Sequence, residues 1–345
     1  MKKLLVLLIS VLLNASLYAD EPFETYNFPS SSITKFEINT IDGNITLTGV
    51  DSEKATVEVF INGKNKTADE MKQMLAEFYT IDISVVSGKM LAVVKHKNKL
   101  RSSKLNISFI ISIPKHVSGK MNSASGNIRI SETSGDLSVN TASGSVTVDH
   151  VSGKISGNTA SGNINLSNST GKLSLNIASG DLYANSCTGS ISVNVASGNI
   201  SANKLEGDIS FNTASGNLTA DNIIGNLKAS SASGNIVLKD ISGNLAIKDG
   251  SKRNNERINN NRGNIDITMK SVDKHVIISN NSAEVNLTLP ADNGYSLNVI
   301  ADKIETSGMK DFHGEMDSKT LNGTVGSGCA KIEINKSQKV NLSFK

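Results

Sequence analysis

The sequence predicts an all-β chain: a parallel β-solenoid (β-helix) with 18-residue coils made of two nonapeptide units, and one short helix in its N-terminal part. Three observations predict it. Glycine falls at residue 126 and at every ninth residue on to 243, fourteen times in register. The second residue after each of these glycines is Ile, Leu or Val, from Ile128, Leu137 and Val146 on to Leu245. The units also alternate in type. Ala-Ser-Gly ends at Gly126, Gly144, Gly162, Gly180, Gly198, Gly216 and Gly234, with looser corners such as Leu205-Glu-Gly207 between them, so the true period is eighteen. Internal periods of this kind are the signature of stacked repeat architectures.

Within one nonapeptide the reasoning is local. Counting the glycine as position 1, positions 3 and 5 are apolar or Ala, with Gly157 the exception, and position 4 is mostly small and polar. Apolar, polar, apolar is a strand with one buried face. Glycine beside Ser, Asn or Asp is turn chemistry, because glycine reaches positive φ without steric cost. Each nonapeptide is therefore one short strand and one tight corner. Residues eighteen apart should then lie above one another, about 4.8 Å apart along the hydrogen-bonding direction. Proline, which removes a ladder donor, is absent between Pro114 and Pro290, as an uninterrupted stack requires.

The chain divides in order as follows. Residues 1–19 read as a signal peptide, with Lys2 and Lys3 ahead of a short apolar run and small residues up to Ala19. Removing them leaves 326 residues (345 − 19) and lowers the formal charge from +3 to +1, because two lysines go. Such a balance gives no basic footprint for nucleic acid, and no later stretch is apolar enough to span a membrane once the signal is cleaved. Residues 20–118 form an N-terminal β region with alternating strands and a short helix at 67–79. In that helix Thr67 and Glu70 have capping-box spacing, and Met71, Met74, Leu75 and Phe78 share one face. Residues 119–250 are the nonapeptide solenoid, 251–262 an exposed polar loop with four basic residues, and 263–345 the C-terminal continuation and cap. The sequence leaves open whether Cys187 and Cys329 pair.

Stacking at eighteen-residue spacing sorts the side chains into columns. Asn122, Asn140, Asn158, Asn176, Asn194 and Asn212 form one, and each amide can donate to the carbonyl oxygen of the next in a structural ladder. Ala124, Ala142, Ala160, Ala178, Ala196, Ala214 and Ala232 form a second, small enough to let a corner close. Ser138, Ser156, Ser174, Ser192 and Ser210 form an outward row of hydroxyls.

Catalytic chemistry finds few candidates. Calcium-binding β-rolls need Gly-Gly-x-Gly-x-Asp corners, whereas these corners carry one Gly with Asn or Ser. Glu132 and His150, eighteen apart and next to Asp149, are the stacked acid–histidine pair, and a surface ion pair explains them. Tyr183 is the lone outward aromatic for stacking on a sugar. No catalytic, cofactor-binding or metal-ligating set is expected, and no cofactor. Glu132, His150 and Tyr183 remain as surface candidates.

The reiterated Ala-Ser-Gly-Asn-Ile phrase, the stretch 107–128 in which an Ile-Pro step leads into the first repeat, and the ending 323–334 resemble the bacterial putative-adhesin family of β-strand-repeat domains of unknown function. The resemblance covers most of residues 33–345. It implies a β-solenoid at the cell envelope or surface and implies no activity or catalytic residues. The expectation is thus an exported, non-enzymatic interaction protein in the periplasm, on the outer surface or secreted. Its ligand would be an envelope or host-surface glycan or protein, not nucleic acid. The alternatives are a polysaccharide-acting β-helix enzyme or a purely structural envelope scaffold.

Overall fold

The structure, a computed structural model, describes residues 21–97, 105–248, 263–280 and 283–345. The expected signal peptide at 1–19 and the polar loop at 251–262 lie outside the described residues. Within them the chain is almost all β. The N-terminal region runs β1 (Glu24–Pro29), β2 (Lys35–Thr40), β3 (Ile45–Val50), β4 (Lys54–Asn62), α1 (Ala68–Phe78), β5 (Tyr79–Val86), β6 (Lys89–His96) and β7 (Asn106–Pro114). The repeat region follows as β8 (Ser118–Ser123), β9 (Ile128–Ser131), β10 (Leu137–Thr141), β11 (Val146–Asp149), β12 (Ser152–Ser161), β13 (Ile164–Ser167), β14 (Thr170–Ser179), β15 (Leu182–Ser197), β16 (Ile200–Ser215), β17 (Leu218–Ser233) and β18 (Ile236–Lys248). The C-terminal strands are β19 (Ile265–Ser279), β20 (Glu284–Leu289), β21 (Tyr295–Ser307), β22 (Phe312–Met316), β23 (Thr320–Val325) and β24 (Ala330–Phe344).

Pairing through the repeats is parallel and holds one register. Leu137 faces Ile155, Ile155 faces Leu173, Leu173 faces Ile191 and Ile191 faces Ile209, each a step of eighteen. From β15 to β17 the strands run sixteen residues, because the ladder continues around the corners. Each eighteen-residue unit therefore contributes two strand segments to two columns of parallel-paired strands. Position 3 and 5 side chains point between the columns and make the core, among them Val139, Leu175, Val193 and Phe211.

Corner geometry explains the glycine period. Gly207 has φ +123°, and a Cβ on it would sit 2.2 Å from the carbonyl oxygen of Gly189, one step below. The next glycine up, Gly225, meets the oxygen of Gly207 in the same way. No residue with a Cβ could occupy that stack without moving the backbone. Three residues before each glycine of this series a non-glycine residue takes the left-handed conformation: Glu132, His150, Asn168, Ser186, Lys204, Asn222 and Asp240, all with φ between 48° and 56°.

The two ends are threaded differently from the middle. β2 lies between β6 and β8, and β3 between β7 and β9, so residues 35–50 are sandwiched between later ones. At the other end β24 lies between β19 and β21 over its first half and between β20 and β21 over its second. Antiparallel strands finish both ends: β1, β4 and β5 at the first, β22 and β23 at the second. Helix α1 starts at the Thr67 capping box and rests Met71, Met74, Leu75 and Phe78 against the core. Lys97 Nζ donates to the carbonyl of Ala76 at 2.6 Å near its C-terminal end, where a cation suits the helix dipole. Cys187 is buried and Cys329 exposed, and both are free thiols, which settles the pairing that the sequence left open.

Candidate functional site

The asparagine column is a continuous chain of side-chain hydrogen bonds. Asn140 donates to Asn122 at 2.9 Å, Asn158 to Asn140 at 2.8 Å and Asn176 to Asn158 at 2.9 Å. Asn194 donates to Asn176 at 3.0 Å and Asn212 to Asn194 at 3.1 Å. The chain begins below the repeats, since Asn122 donates to Asn39 at 2.6 Å and Asn39 to Glu37 at 3.0 Å. Only one N–H of each amide is consumed in this way, so each keeps a second donor. Beside the ladder runs an open groove of about 880 Å³, floored by the methyls of Ala142, Ala160, Ala178, Ala196 and Ala214. It follows the stack axis.

Two further ladders escaped the sequence reading. Asn127, Asn163, Asp181, Asn199 and Asn217 each accept, through Oδ1, the backbone N–H eighteen residues later, at 2.7 to 2.9 Å. The signal was present, because Asn or Asp follows most Ala-Ser-Gly corners. The other ladder is buried. The Thr141, Thr159, Thr213 and Ser231 hydroxyls each donate to the glycine carbonyl fifteen residues earlier. Ile177 and Val195 occupy the same column without a hydroxyl, which hid the pattern.

Glu132 and His150 are brought together by the left-handed corner. His150 Nδ1 lies 3.9 Å from Glu132 and 3.0 Å from Asp149. The hydrogen bond to Asp149 raises the imidazole above its ordinary value, and the negative charges of Asp149 and Glu132 add to the effect. Burial pushes the Asp149 carboxyl up, but hydrogen bonds from Ser167 (2.6 Å), His150 and Asn168 (3.0 Å) outweigh it and hold the group below the usual range. Ser167 donates to Asp149 and not to His150, so the cluster lacks a nucleophile–base contact. Tyr183 is half-exposed two steps further along the strand column that carries Asp149, and its hydroxyl lies 3.3 Å from Asp181. It stands apart from the Glu132–His150 corner. Among the described residues no group of three or more His, Cys, Asp or Glu is placed to hold a metal ion, and no helix is long and apolar enough to cross a membrane.

No curated protein matches the chain. Among solved structures, one described as a putative cell adhesion protein from Clostridium sporogenes is similar at 11% identity and a TM-score of 0.20, over 93% of this chain and 98% of the other. One described as a putative adhesin from Bacteroides fragilis is similar at 14% identity and a TM-score of 0.26, over 93% of this chain and 96% of the other. Another so described, from Parabacteroides distasonis, is similar at 10% identity and a TM-score of 0.26, over 94% of this chain and 98% of the other. At these TM-scores the pairs carry no argument. The family model is different in weight: the one described as Toastrack DUF4097 matches residues 33–240, more than half of the sequence. With its asparagine columns, glycine corners and parallel register, the chain belongs to the Toastrack DUF4097 family.

Proposed function

We propose that the chain is a parallel β-solenoid with 18-residue coils that works as an exported, non-enzymatic adhesin or interaction protein of the cell envelope or surface. One observation carries the reading. The open groove beside the asparagine ladder presents an amide at each eighteen-residue step from Asn122 to Asn212 and a methyl at each step from Ala142 to Ala232. A surface that repeats along an axis suits a partner that is itself extended, a glycan or a polypeptide strand. The apolar N-terminal leader expected at 1–19 supports export.

The test is binding and location together. The purified protein should give signal on a glycan array or retain cells in an adhesion assay, and fractionation should find it in the periplasm, on the surface or in the medium. Silence in both binding assays with a cytoplasmic location would overturn the proposal.

A further inference from the structure

The face that carries the serine row is not uniform along its length. Two columns run side by side on it. Step by step, the first reads Lys89, Lys35, Ser118, Asp136, Lys154, Lys172, Ser190 and Asp208. The second reads Glu37, Lys120, Ser138, Ser156, Ser174, Ser192 and Ser210. Lys35, Lys89, Lys120 and Lys154 line an open groove of about 680 Å³ together with Ser138 and Ser156. Lys172 extends the row by one step as the register partner of Lys154.

The acids of the strip do not neutralise it. Glu37 is engaged by Lys89. The Asp136 carboxylate accepts the backbone N–H of Lys154 at 3.0 Å. Among the described residues Lys35, Lys120, Lys154 and Lys172 make no ion pair. Over the groove and its extension to Lys172, five lysines stand against two acids and leave +3 (5 − 2), as much as the whole chain carries. Lys35 with Lys89, and Lys154 with Lys172, are directly opposed on neighbouring strands. Like charges so placed destabilise a sheet. The fold does not demand them, because Ser190, Asp208, Asn226 and Asn244 fill the same column further along.

We propose that this strip docks a linear anionic polysaccharide, laid along the stack axis with its charged groups on the lysines and its hydroxyls on the serine row. The proposal rests on the reading of the chain as a surface interaction protein. Lysines suit carboxylate or phosphate groups as point charges. A step of about 4.8 Å between neighbouring strands is of the order of one sugar ring along such a chain. A nucleic acid is disfavoured because no exposed aromatic lies on the strip to stack a base. A membrane is disfavoured because the surface is grooved, and the exposed large hydrophobics (Phe23, Val86, Tyr183, Ile224, Ile300 and Met316) all lie off its lining.

The experiment titrates the purified protein with polygalacturonate, a phosphate-bearing mannan, neutral dextran and single-stranded DNA. It is repeated with a Lys120→Gln/Lys154→Gln/Lys172→Gln variant and with a Lys204→Gln/Lys239→Gln control, after circular dichroism has checked each fold. One of the first two polymers should bind saturably, and which one identifies the anion. The triple variant should bind at least tenfold more weakly, added salt should weaken binding, the control should bind like the parent, and dextran should not bind. Failure of both anionic polymers to bind, undiminished binding by the triple variant, or equally tight DNA binding through the same lysines would overturn the proposal. If the triple variant keeps full signal on glycan arrays or cells, this strip is excluded while the surface role survives. If the parent protein is silent there as well, both fall.

Discussion

Asn176 donates to Asn158 and accepts from Asn194, so an Asn176→Ala change removes two side-chain hydrogen bonds at once. Each is worth about 0.5–1.5 kcal/mol net, and less where water can replace it. Urea denaturation should show a loss of roughly 1–2 kcal/mol for Asn176→Ala and almost none for Ser192→Ala on the open face; equal losses would remove the ladder as a source of stability. His150 offers a second test at this scale. Its folded pKa is raised by Asp149 and Glu132. The stabilisation it gives is therefore complete below its unfolded pKa and is lost as pH rises through the folded one. An NMR titration should place His150 above the ordinary histidine value, and Asp149→Asn should bring it down. An unmoved midpoint in that variant would contradict the corner described above. The asparagine column was legible because identical letters recur every eighteen residues. The hydroxyl column was not, since Ile177 and Val195 interrupt it and its bonds reach a carbonyl fifteen residues away.

Packing within the repeats is a matter of complementary sizes on successive strands. Gly157 stands where its neighbours in the column are Val139 and Leu175, and a Cβ there would lie 2.9 Å from Leu175 Cδ2. The Leu175 side chain fills the space that the glycine leaves. Phe211 is likewise followed by Ala229. Gly157→Val should therefore overpack the core and cost roughly 1–3 kcal/mol, and a thermal melt should show Leu175→Ala relieving part of it. Additive losses would mean that the two sites do not touch. Helix α1 was legible from a single motif, because Thr67 and Glu70 form the reciprocal capping box that their spacing implies. Thr67→Ala should cost about 1 kcal/mol of local stability, read as faster amide exchange at residues 68–71; unchanged exchange would deny the cap its role. What no local pattern could announce is the partner of each terminal strand. The alternation of residues 36–50 says strand and says which face is inward, but not that later residues close over both sides.

At the level of the molecule, parallel register in the middle and threaded ends divide the work. The repeats propagate one geometry, while β24 locks the C-terminal end by pairing with β19, β20 and β21. Its Ile332, Ile334, Val340 and Leu342 are buried. A chain truncated before Ala330 would expose those neighbours and leave open sheet edges of the kind that associate between molecules. It should sediment as aggregates, whereas a monomer of unchanged melting point would show that β24 is dispensable. The threading was invisible in the sequence because it depends on contacts across several tens of residues, whereas the period is written into each repeat. That period is also the central claim, and pairs of spin labels on the serine face test it most directly. In a Cys329→Ser background, labels at Ser138→Cys and Ser210→Cys span four steps of eighteen, and labels at Lys120→Cys and Lys228→Cys span six. Double electron–electron resonance should give backbone separations near ~19 Å and ~29 Å, in proportion to the number of steps; distances that do not grow by about 4.8 Å for every eighteen residues would contradict the stack.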